Sequence, residues 1–493
     1  MNYIGISNSF HDAGVSVVTE FGDIAFAAHS ERYSKRKHDE RLCSPLVIDA
    51  LNHIDGEYEL HYYERPLLTS LRRWYAGQGL KIETATSRIK SDIRWPFNTK
   101  TIKTHGHHLS HAAAGFQTSP FERATCVIID AIGELDTISI WDAWYDSKGR
   151  ARYKKLWSKK YPDSIGLFYS AMTRKVGLYP LDEEYILMGM AAYGQPKYTD
   201  FMMNSLMTFP IHEVNFKENL HVGLPPSYLQ DADKFDIAAS AQAVAEDLIK
   251  SVMRSAQILG KSTNLVYGGG VALNCLANRL LGNYFNQIWI MPNPGDCGSS
   301  LGAAALGYGK KLNWVSPFLG YNIPGEYPSN AALTHLLSNQ IVGVASGRAE
   351  FGPRALGNRS LLADPRGPHI KDKVNEIKHR QKFRPFAPVI LEERVHDYFD
   401  LPNAWNNSRY MQVVATCAYP DKFPAIVHHD GTSRVQTVPK DGSGIRDLLE
   451  KWYVMTECPM LLNTSLNIRG EPMVNDMFDA ARFTNLYGVP VVS

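Results

Sequence analysis

The sequence predicts an α/β protein with more than one domain, and three observations support this prediction. Residues 3–30 alternate short β-rich runs with Gly and Asp turns, which is typical of hairpins. Residues 264–281 and 287–309 each have the order strand, glycine turn, small-residue helix. After the Pro- and Gly-rich stretch 314–330, IVGVASG opens a second α/β unit. At 493 residues the chain exceeds one ordinary core.

Composition narrows the class of protein. The chain is 44% hydrophobic and 21% charged with a net charge of +2, which indicates a globular protein and not a polycation. The six cysteines are scattered without a C-x-x-C pair, which favours reduced thiols and a cytoplasmic location. The start has no secretory pattern, and no run is long and apolar enough to cross a membrane, so we expect no membrane partner.

The remaining elements of the first part follow in order. Three β-rich runs begin at CVIIDAIGE and continue through TISIWDAWY and RYKKLWS. Residues 164–195 are predicted as helices broken by Gly and Pro. Residues 238–259 form an amphipathic helical pattern that stops at Gly260.

The spacing of His107 and His111 suggests a metal site. On a helix these residues share one face, one turn apart, and Asp130 ends a β-rich run nearby in sequence. Two imidazoles and a carboxylate suit a divalent first-row metal with positions left for substrate. His108 is an alternative to His107, because positions i and i+3 also share a face. Paired histidines are also common as polar surface or core residues.

The second half predicts an anion site. Basic residues lie in short turn-like motifs rather than among acids, and several guanidinium groups converge in this way on a phosphate. Small polar side chains accompany them, and the alternative is a solvated basic face. The basic residues are Arg354, Arg359, Lys378, Arg380, Arg384, Arg434 and Arg469, and the polar ones are Ser433, Asn463, Thr464 and Ser465.

Residues 61–103 form a basic, aromatic segment with a net charge of +6. We favour an amphipathic helix pair with its rings in the core and its charges in water. The alternative is a surface for nucleic acid, where cations hold phosphates and rings stack on bases. The cations are Arg65, Arg72, Arg73, Lys81, Arg88, Lys90, Arg94, Lys100 and Lys103, and the rings are those of Tyr62, Tyr63, Trp74, Tyr75 and Trp95.

At these motifs the chain resembles the O-carbamoyltransferases that act on antibiotics, nodulation factors and related acceptors. The resemblance covers nearly the whole length in order. Its motifs are GISNSFHDAG, AHSERYSKRKHD, HHLSHAAAGF, IIDAIGE, GLFYSAMT, MGMAAYGQP, GGGVALN, GDCGSSLGAA, EFGPRALGNRS, KHRQKFRPFAP, HHDGTSRVQ and NTSLNIRGEP.

The resemblance implies two domains. Residues 1–320 would form a duplicated actin/sugar-kinase-like (ASKHA) domain similar to the universal tRNA threonylcarbamoyl-transfer protein, with residues 321–340 as a linker. Residues 341–493 would form a twisted α/β domain that makes carbamoyl adenylate from carbamoyl phosphate and ATP, with Mg²⁺ expected beside the nucleotide. The adenylate would pass to the first domain, where Fe(II) or another divalent metal assists transfer to an acceptor hydroxyl.

The same resemblance implies roles for individual residues. The metal ligands would be His107, His111, Asp130 and Asp296. Nucleotide would lie on Gly268, Gly269, Gly270 and Asn274, with Asn463 and Ser465. Carbamoyl phosphate would be held by Arg354, Lys378, Arg384, Ser433 and Arg434. His11, Asp12 or Glu31 would take the proton of the acceptor, although a capped turn or a surface acid explains these three equally well.

Two positions depart from the family pattern, and the acceptor stays open. Ile186 stands where the family usually has Lys, which would remove a charge from the nucleotide pocket, and Gln381 replaces a usual Glu. We expect a small hydroxylated molecule or sugar as acceptor, with a hydroxymethylated pyrimidine in DNA as the alternative that segment 61–103 suggests. Competing functions are tRNA carbamoyl or threonylcarbamoyl transfer and a non-catalytic nucleotide-binding actin-like protein. The sequence does not indicate the oligomeric state.

Overall fold

The computed structural model of the protein describes residues 1–79, 81–99, 101–210, 213–442 and 444–493. Its first sheet has the strand order β3-β2-β1-β4-β5. The strands are β1 (Asn2–Ser7), β2 (Gly14–Val18), β3 (Ile24–His29), β4 (Tyr58–Tyr62) and β5 (Ile102–Thr104). The first three pair antiparallel, as the predicted hairpins require, and β4 and β5 continue the sheet parallel to β1.

A second sheet repeats this arrangement. Its order is β12-β11-β6-β7-β8. The strands are β6 (Arg123–Gly133), β7 (Asp136–Tyr145), β8 (Ala151–Lys160), β11 (Asn264–Gly268) and β12 (Gln287–Trp289). Here too the first three strands pair antiparallel and the last two run parallel to the first. Equal order and equal direction in two successive sheets confirm the duplicated fold.

The helices of this first part occupy the intervals between the strands. They are α1 (Ser30–Ser34), α2 (Ser44–Leu51), α3 (Pro66–Tyr75), α4 (Ala85–Asp92), α5 (His107–Thr118), α6 (Ile165–Lys175), α7 (Glu184–Met190), α8 (Thr199–Leu206), α9 (Lys234–Leu259), α10 (Cys275–Asn278) and α11 (Gly298–Tyr308). Short β9 (Met207–Thr208) and β10 (Asn215–Phe216) pair with each other. The helices predicted over 164–195 and 238–259 are confirmed, whereas the glycine turn of 264–281 leads into 3-10 turns and the one-turn α10.

Helices α5 and α11 pack together between the two sheets, and small residues allow this close approach. Gly302 of α11 leaves no room for a Cβ against the carbonyl of Ser110 on α5, and Gly5 of β1 lies as closely against Ser300. The residue before α11 is Cys297, so this packing fixes the preceding loop beside the start of α5.

The third sheet forms the C-terminal domain, with the order β21-β17-β22-β16-β14-β23 and mixed strand directions. Its strands are β14 (Ile341–Ala345), β16 (Arg359–Ala363), β17 (Ala387–Leu391), β21 (Gln436–Val438), β22 (Met460–Ser465) and β23 (Val491–Val492). Beside it lie β13 (Phe318–Ile323), β15 (Gly347–Glu350), β18 (Phe399–Asp400), β19 (Val414–Cys417) and β20 (Thr432–Arg434), with α12 (Ser329–Asn339), α13 (Pro368–Ile377), α14 (Ile445–Thr456) and α15 (Met477–Tyr487). A mixed α/β domain is present, as expected.

The expected linker 321–340 has secondary structure of its own. The segment 321–340 contains the end of β13 and all of α12, because β13 pairs with β15 and α12 buries Ala332 and Leu336. The domain boundaries themselves stay a prediction. All six cysteines are free thiols. No helix within the described ranges is long and apolar enough to span a membrane.

The interpretation of segment 61–103 as a core-facing helix pair is wrong for α3. This helix exposes Trp74 and Tyr75 to 61% and 77%, whereas Arg72 is buried. Arg88 of α4 is also buried and bonds to the buried Glu64. Tyr62 and Tyr63 do lie in the core. Lys100 lies outside the described residues.

Candidate active site

Four side chains converge between the two sheets. His107 and His111 lie one turn apart on α5, and their Nε2 atoms are 3.1 Å from each other. His107 Nε2 lies 3.1 Å from Asp130 Oδ2, and His111 Nε2 lies 3.2 Å from Asp296 Oδ1. The structure therefore brings together all four predicted metal ligands.

The local sequence explains the position of Asp130. The residue lies near the end of β6, where its Oδ1 accepts the N–H of Ala131 at 2.8 Å. The glycine turn after β11 approaches from the other side, and Gly270 N lies 3.4 Å from the same oxygen. Gly269 has φ +86° and a side chain there would overlap the carbonyl of Ile129, so only glycine fits. Asp130 Oδ2 is left to face the histidines.

The four residues fit a divalent cation. Burial disfavours protonation of His107 and His111, but Asp130 and Asp296 outweigh it and raise the pKa of both rings. The same negative potential favours a bound cation over an empty pair of imidazoles. Two nitrogens and two carboxylate oxygens suit Fe(II), Mn(II) or Zn(II). His108 is not part of this group, because its Nδ1 bonds to Ser139 Oγ at 2.7 Å.

A second group of ionisable residues lies beside the first. Asp12 lies between two histidines, with His11 Nδ1 2.7 Å from Oδ2 and His38 Nδ1 2.8 Å from Oδ1. The other nitrogen of each ring also meets an acceptor: His11 Nε2 is 2.6 Å from the carbonyl oxygen of Leu181, and His38 Nε2 is 2.9 Å from Asp182 Oδ1. Acceptors at both nitrogens favour the imidazolium form of each ring.

The pKa values of this group follow from these contacts. Burial opposes the charge on His11, but Asp12 outweighs it and raises its pKa to about 9. His38 is raised to a pKa of about 10, because the bonds to Asp12 and Asp182 outweigh its burial. Burial would raise the pKa of Asp12, but the two histidines hold it well below the usual value. The protonated form of His11 therefore predominates at neutral pH.

One cavity of about 470 Å³ joins these groups to the C-terminal domain. Its N-terminal wall includes Asp130 and Asp296 of the metal site together with His11, Asp12 and Glu31. Its C-terminal wall contains the basic residues Arg354, Lys378, Arg380, Arg384, Arg434 and Arg469, with Asn463 and Ser465 between them. Both domains therefore face the same space.

Three guanidinium groups in this wall have no carboxylate partner among the described residues. No hydrogen bond of the described residues holds the side chains of Arg354 and Arg434, and the side chain of Arg384 bonds to Tyr185. Burial and the neighbouring charge of Arg434 lower the pKa of Arg354 to about 9. Arg384 lies over the ring of Tyr185 at 4.7 Å. Like charges held together without counter-charges indicate a site for a polyanion.

Other cations of this wall are already bonded. Lys378 Nζ donates to Asn467 Oδ1 at 2.9 Å and to Ser465 Oγ at 3.2 Å, which ties α13 to the loop after β22. Arg380 Nε donates to Asn375 Oδ1 at 2.7 Å, and Arg469 Nη2 pairs with Glu183. These residues shape the basic wall, whereas Arg354, Arg384 and Arg434 have donors left for a ligand.

Some predicted residues do not line the cavity. The hydroxyl of Ser433 is buried and donates to Ile426 O at 2.7 Å. Arg359 is fully buried and donates to backbone carbonyls, including those of Ser346 and Asn475, so it joins elements of the fold. Gly268 and Gly269 shape the turn behind the wall, while Gly270 and Asn274 face the cavity.

The two departures from the family pattern lie outside the cavity wall. Ile186 is buried to 1% exposure among the apolar residues of α6, α7 and α9, so position 186 adds no charge to the cavity in this arrangement. Its neighbour Tyr185 lines the cavity instead. Gln381 is half-buried and contributes only backbone contact to Arg384.

Sequence reasoning missed several residues of the site. His38 and Asp182 complete the Asp12 group, and Tyr185 and His428 line the cavity. His38 stands in the quoted motif AHSERYSKRKHD, and a search for a second histidine within reach of Asp12 would have found it. Asp182 and Tyr185 belong to a loop and helix whose contacts depend on the tertiary fold.

Two family models and several known proteins match this chain. A family model described as Carbamoyltransferase N-terminus matches residues 81–305, and one described as Carbamoyltransferase C-terminus matches residues 333–492. Nodulation protein U of Sinorhizobium fredii is 35% identical, with 93% of this chain and 92% of that protein covered. An uncharacterized protein of Synechocystis sp. is 32% identical, with 97% and 93% covered.

Among solved structures, the activator of the 2-hydroxyisocaproyl-CoA dehydratase from Clostridium difficile with bound ADPNP covers 62% of this chain and 94% of its own. Its TM-score is 0.36 at 13% identity. The family matches together span most of the chain and include residues of both cavity walls, among them Asp130, Asp296 and Arg354. The protein is therefore an enzyme of the carbamoyltransferase family.

Proposed function

We propose that the protein is an ATP-dependent O-carbamoyltransferase that uses carbamoyl phosphate through carbamoyl adenylate. Carbamoyl phosphate and water give carbamate and phosphate. A carbamate oxygen then attacks the α-phosphorus of ATP, the bond to pyrophosphate breaks, and carbamoyl adenylate forms. An acceptor hydroxyl next attacks the carbamoyl carbon, AMP leaves, and the hydroxyl proton passes to a base. The net products are the carbamate ester, AMP, pyrophosphate and phosphate.

The observation that carries this proposal is the presence of Arg354, Arg384 and Arg434 in the cavity wall without a carboxylate partner among the described residues. ATP and carbamoyl phosphate are polyanions whose phosphates need several fixed donors in a space with little water. Three half-buried arginine side chains supply these donors. Because the three positive charges repel one another, binding of a polyanion there removes an electrostatic repulsion that is present in the free protein.

The opposite wall supports the transfer step. His107, His111, Asp130 and Asp296 would hold Fe(II) or another divalent metal, which when bound supplies a Lewis acid for a carbonyl or phosphate oxygen. The shared cavity keeps a reactive adenylate away from bulk water between the two steps. Mg²⁺ would accompany ATP as it does in other phosphate sites.

His11 is our candidate for the proton of the acceptor, and this role requires Nε2 to leave the carbonyl oxygen of Leu181 when the acceptor binds. It lies in the wall beside Asp12, and Asp12 fixes the orientation of its ring. With a pKa raised to about 9, its neutral form is a strong base for an imidazole. Glu31 also lines the cavity, but its carboxylate already accepts the backbone N–H of His38 at 2.9 Å.

We expect the acceptor to present a hydroxyl on a small molecule or sugar, since only a compact group fits the cavity beside an adenylate. The rival function, carbamoyl or threonylcarbamoyl transfer to tRNA, would require tRNA for turnover.

The test is a reaction without acceptor. Purified protein would be incubated with ATP, carbamoyl phosphate and Fe(II), and phosphate, pyrophosphate and carbamoyl adenylate would be measured by mass spectrometry. We expect adenylate from the protein and from an Arg482→Ala control, whose side chain is 64% exposed and outside the cavity. Arg384→Ala should form none. Bound ATP with no product from any variant would contradict the proposal and favour a non-catalytic nucleotide-binding protein.

A further inference from the structure

The ring of Tyr185 contacts the opposite wall of the cavity. Tyr185 lies on α7 in the first part of the chain, and it lines the cavity of about 470 Å³. Arg384 lines the basic wall of the C-terminal domain and places its guanidinium carbon 4.7 Å from the centroid of this ring. The contact therefore joins the N-terminal wall of the cavity to one of the arginines that face the proposed donor.

The side chain of Arg384 depends on this contact for its orientation. The backbone of Arg384 is held in place, because its carbonyl oxygen accepts the side-chain N–H of Asn375 at 3.1 Å and its own N–H donates to Gln381 O at 3.3 Å. Among the described residues, the guanidinium group has no carboxylate partner and bonds to Tyr185. A long side chain that is held only at its backbone samples several rotamers. Tyr185 is therefore the residue that determines where this guanidinium group lies.

An aromatic partner suits a guanidinium group that must bind an anion. The face of the ring attracts the positive charge, and the contact uses the face of the guanidinium group rather than the N–H groups at its edge. A carboxylate partner would instead occupy two of these N–H donors and neutralise the charge. Arg384 beside Tyr185 therefore keeps its charge and most of its donors for a phosphate.

The first turn of α7 is anchored to both parts of the protein. Glu184 Oε1 accepts the hydroxyl of Ser170 on α6 at 2.7 Å. Glu183 is 5% exposed and pairs with Arg469 of the C-terminal domain. Because these two bonds involve the residues directly before Tyr185, they fix the backbone that carries its ring.

A second cation lies near the same ring. Lys37 Nζ is 5.6 Å from the ring centroid and donates to Asp182 Oδ1 at 2.7 Å. Asp182 also lies 2.9 Å from Nε2 of His38, whose Nδ1 bonds to Asp12. Lys37 therefore has a carboxylate partner and belongs to the Asp12 group. Arg384 is the cation for which the ring of Tyr185 replaces such a partner.

We propose that the ring of Tyr185 positions Arg384 for the phosphate of carbamoyl phosphate. This inference rests on the proposed function, in which Arg384 binds the phosphates of the donor. Tyr185 is a positioning residue, since it acts through Arg384 and takes no part in the bonds that form and break. A residue of the first part of the chain thus completes the site that forms the adenylate in the C-terminal domain.

The test measures the KM for carbamoyl phosphate in the adenylate assay without acceptor. We expect Tyr185→Leu to raise this KM about tenfold, which is the strength of a cation–ring contact in a site with little water, while kcat at saturating carbamoyl phosphate stays within about threefold. Tyr185→Phe keeps the ring and loses one hydroxyl, so its KM should stay within about threefold of the unchanged protein. Tyr179→Leu is the matched control, because Tyr179 is 73% exposed and does not line the cavity.

A double-variant cycle tests whether Tyr185 acts through Arg384. Calorimetry would measure the binding of freshly dissolved carbamoyl phosphate to Arg384→Ala and to the same variant combined with Tyr185→Leu. We expect equal affinities, because without the guanidinium group the ring has nothing left to position. A further tenfold loss in the double variant would show that the ring acts by another route, such as Lys37, and would overturn the inference.

The assay also separates this inference from the proposed function. Adenylate from the unchanged protein with the same KM in Tyr185→Leu, or with an equal rise of the KM in Tyr185→Phe and Tyr185→Leu, would overturn the role of the ring alone. A fall of kcat in Tyr185→Leu with no change in the KM would do the same, since it indicates a structural defect. Absence of the adenylate from every form, including the unchanged protein, would contradict the proposed function itself.

Discussion

Glu64 Oε2 lies 3.5 Å from Nδ1 of His107, on the side of the ring opposite to the other metal-site residues. The carboxylate is buried, and Arg88 is its second partner. Burial opposes the charge of Glu64, but His107 and Arg88 outweigh it and lower its pKa to about 2. His107 Nδ1 has no hydrogen bond among the described residues, and a closer approach of this carboxylate when a metal binds would fix the tautomer that leaves Nε2 free for the metal.

We therefore expect Glu64→Gln to weaken metal binding about 10- to 100-fold. Anaerobic titration with Fe(II), or with Mn(II) as an air-stable probe, would measure the affinity. Glu59→Gln is the control, because Glu59 is partly exposed and pairs with Lys103 far from the four ligands. Equal affinity for the Glu64 variant and the unchanged protein would exclude this positioning role.

Removal of a proposed ligand should have a larger effect. His111→Ala deletes a ligand nitrogen that lies within 3.3 Å of both Asp130 and Asp296. Three of the four proposed ligands then remain. We expect the metal content of dialysed protein to fall to a small fraction of one equivalent. Elemental analysis would measure it, with the exposed His369→Ala as control. A full equivalent in the His111 variant would show that the metal lies elsewhere.

The repulsion among the cavity arginines predicts that removing one of them raises the stability of the protein and abolishes its activity. Arg434→Met removes one of several like charges held together and keeps an apolar side chain of similar length. We expect the free energy of unfolding to rise by about 1 kcal/mol, because replacing a desolvated charge with an apolar side chain is often stabilising. Adenylate formation should be lost. Urea unfolding and the acceptor-free assay test both parts, and a variant that is less stable would contradict the repulsion argument.

The protonation of His11 predicts how the transfer rate depends on pH. If His11 accepts the proton of the acceptor, only its neutral form is active, and this form increases as the pH rises toward the pKa of about 9. The rate constant for carbamoyl transfer should then rise about tenfold per pH unit below that value. His11→Asn should lose most of the rate and the slope. A rate that falls between pH 7 and 9 would instead assign His11 as a proton donor to the departing AMP.

Local patterns predicted part of the site well. The pair His107 and His111 depends only on helical spacing, and Asp130 depends on the strand that precedes it, so both follow from the sequence. Asp296 came from the family resemblance, because its approach to the histidines depends on how α11 packs. That packing involves residues far apart in the chain.

Charge patterns were less informative, because they do not show which side of a turn faces a cavity. Arg354 and Arg359 stand five positions apart in one motif, yet one faces the cavity and the other donates to carbonyls inside the fold. In α3 the predicted helix is present, but its apolar face is exposed and its polar face is buried. The polar side of that helix packs toward the metal site, which hydrophobic periodicity alone does not reveal.

The glycines of α11 fix how closely this helix packs against its neighbours. Gly302 touches α5, which bears the histidines, while Asp296 stands just before the same helix. A methyl group at position 302 would push the two helices apart and carry the carboxylate away from its partners. The missing Cβ of Gly302 therefore sets both the distance between α5 and α11 and the position of Asp296 in the metal site.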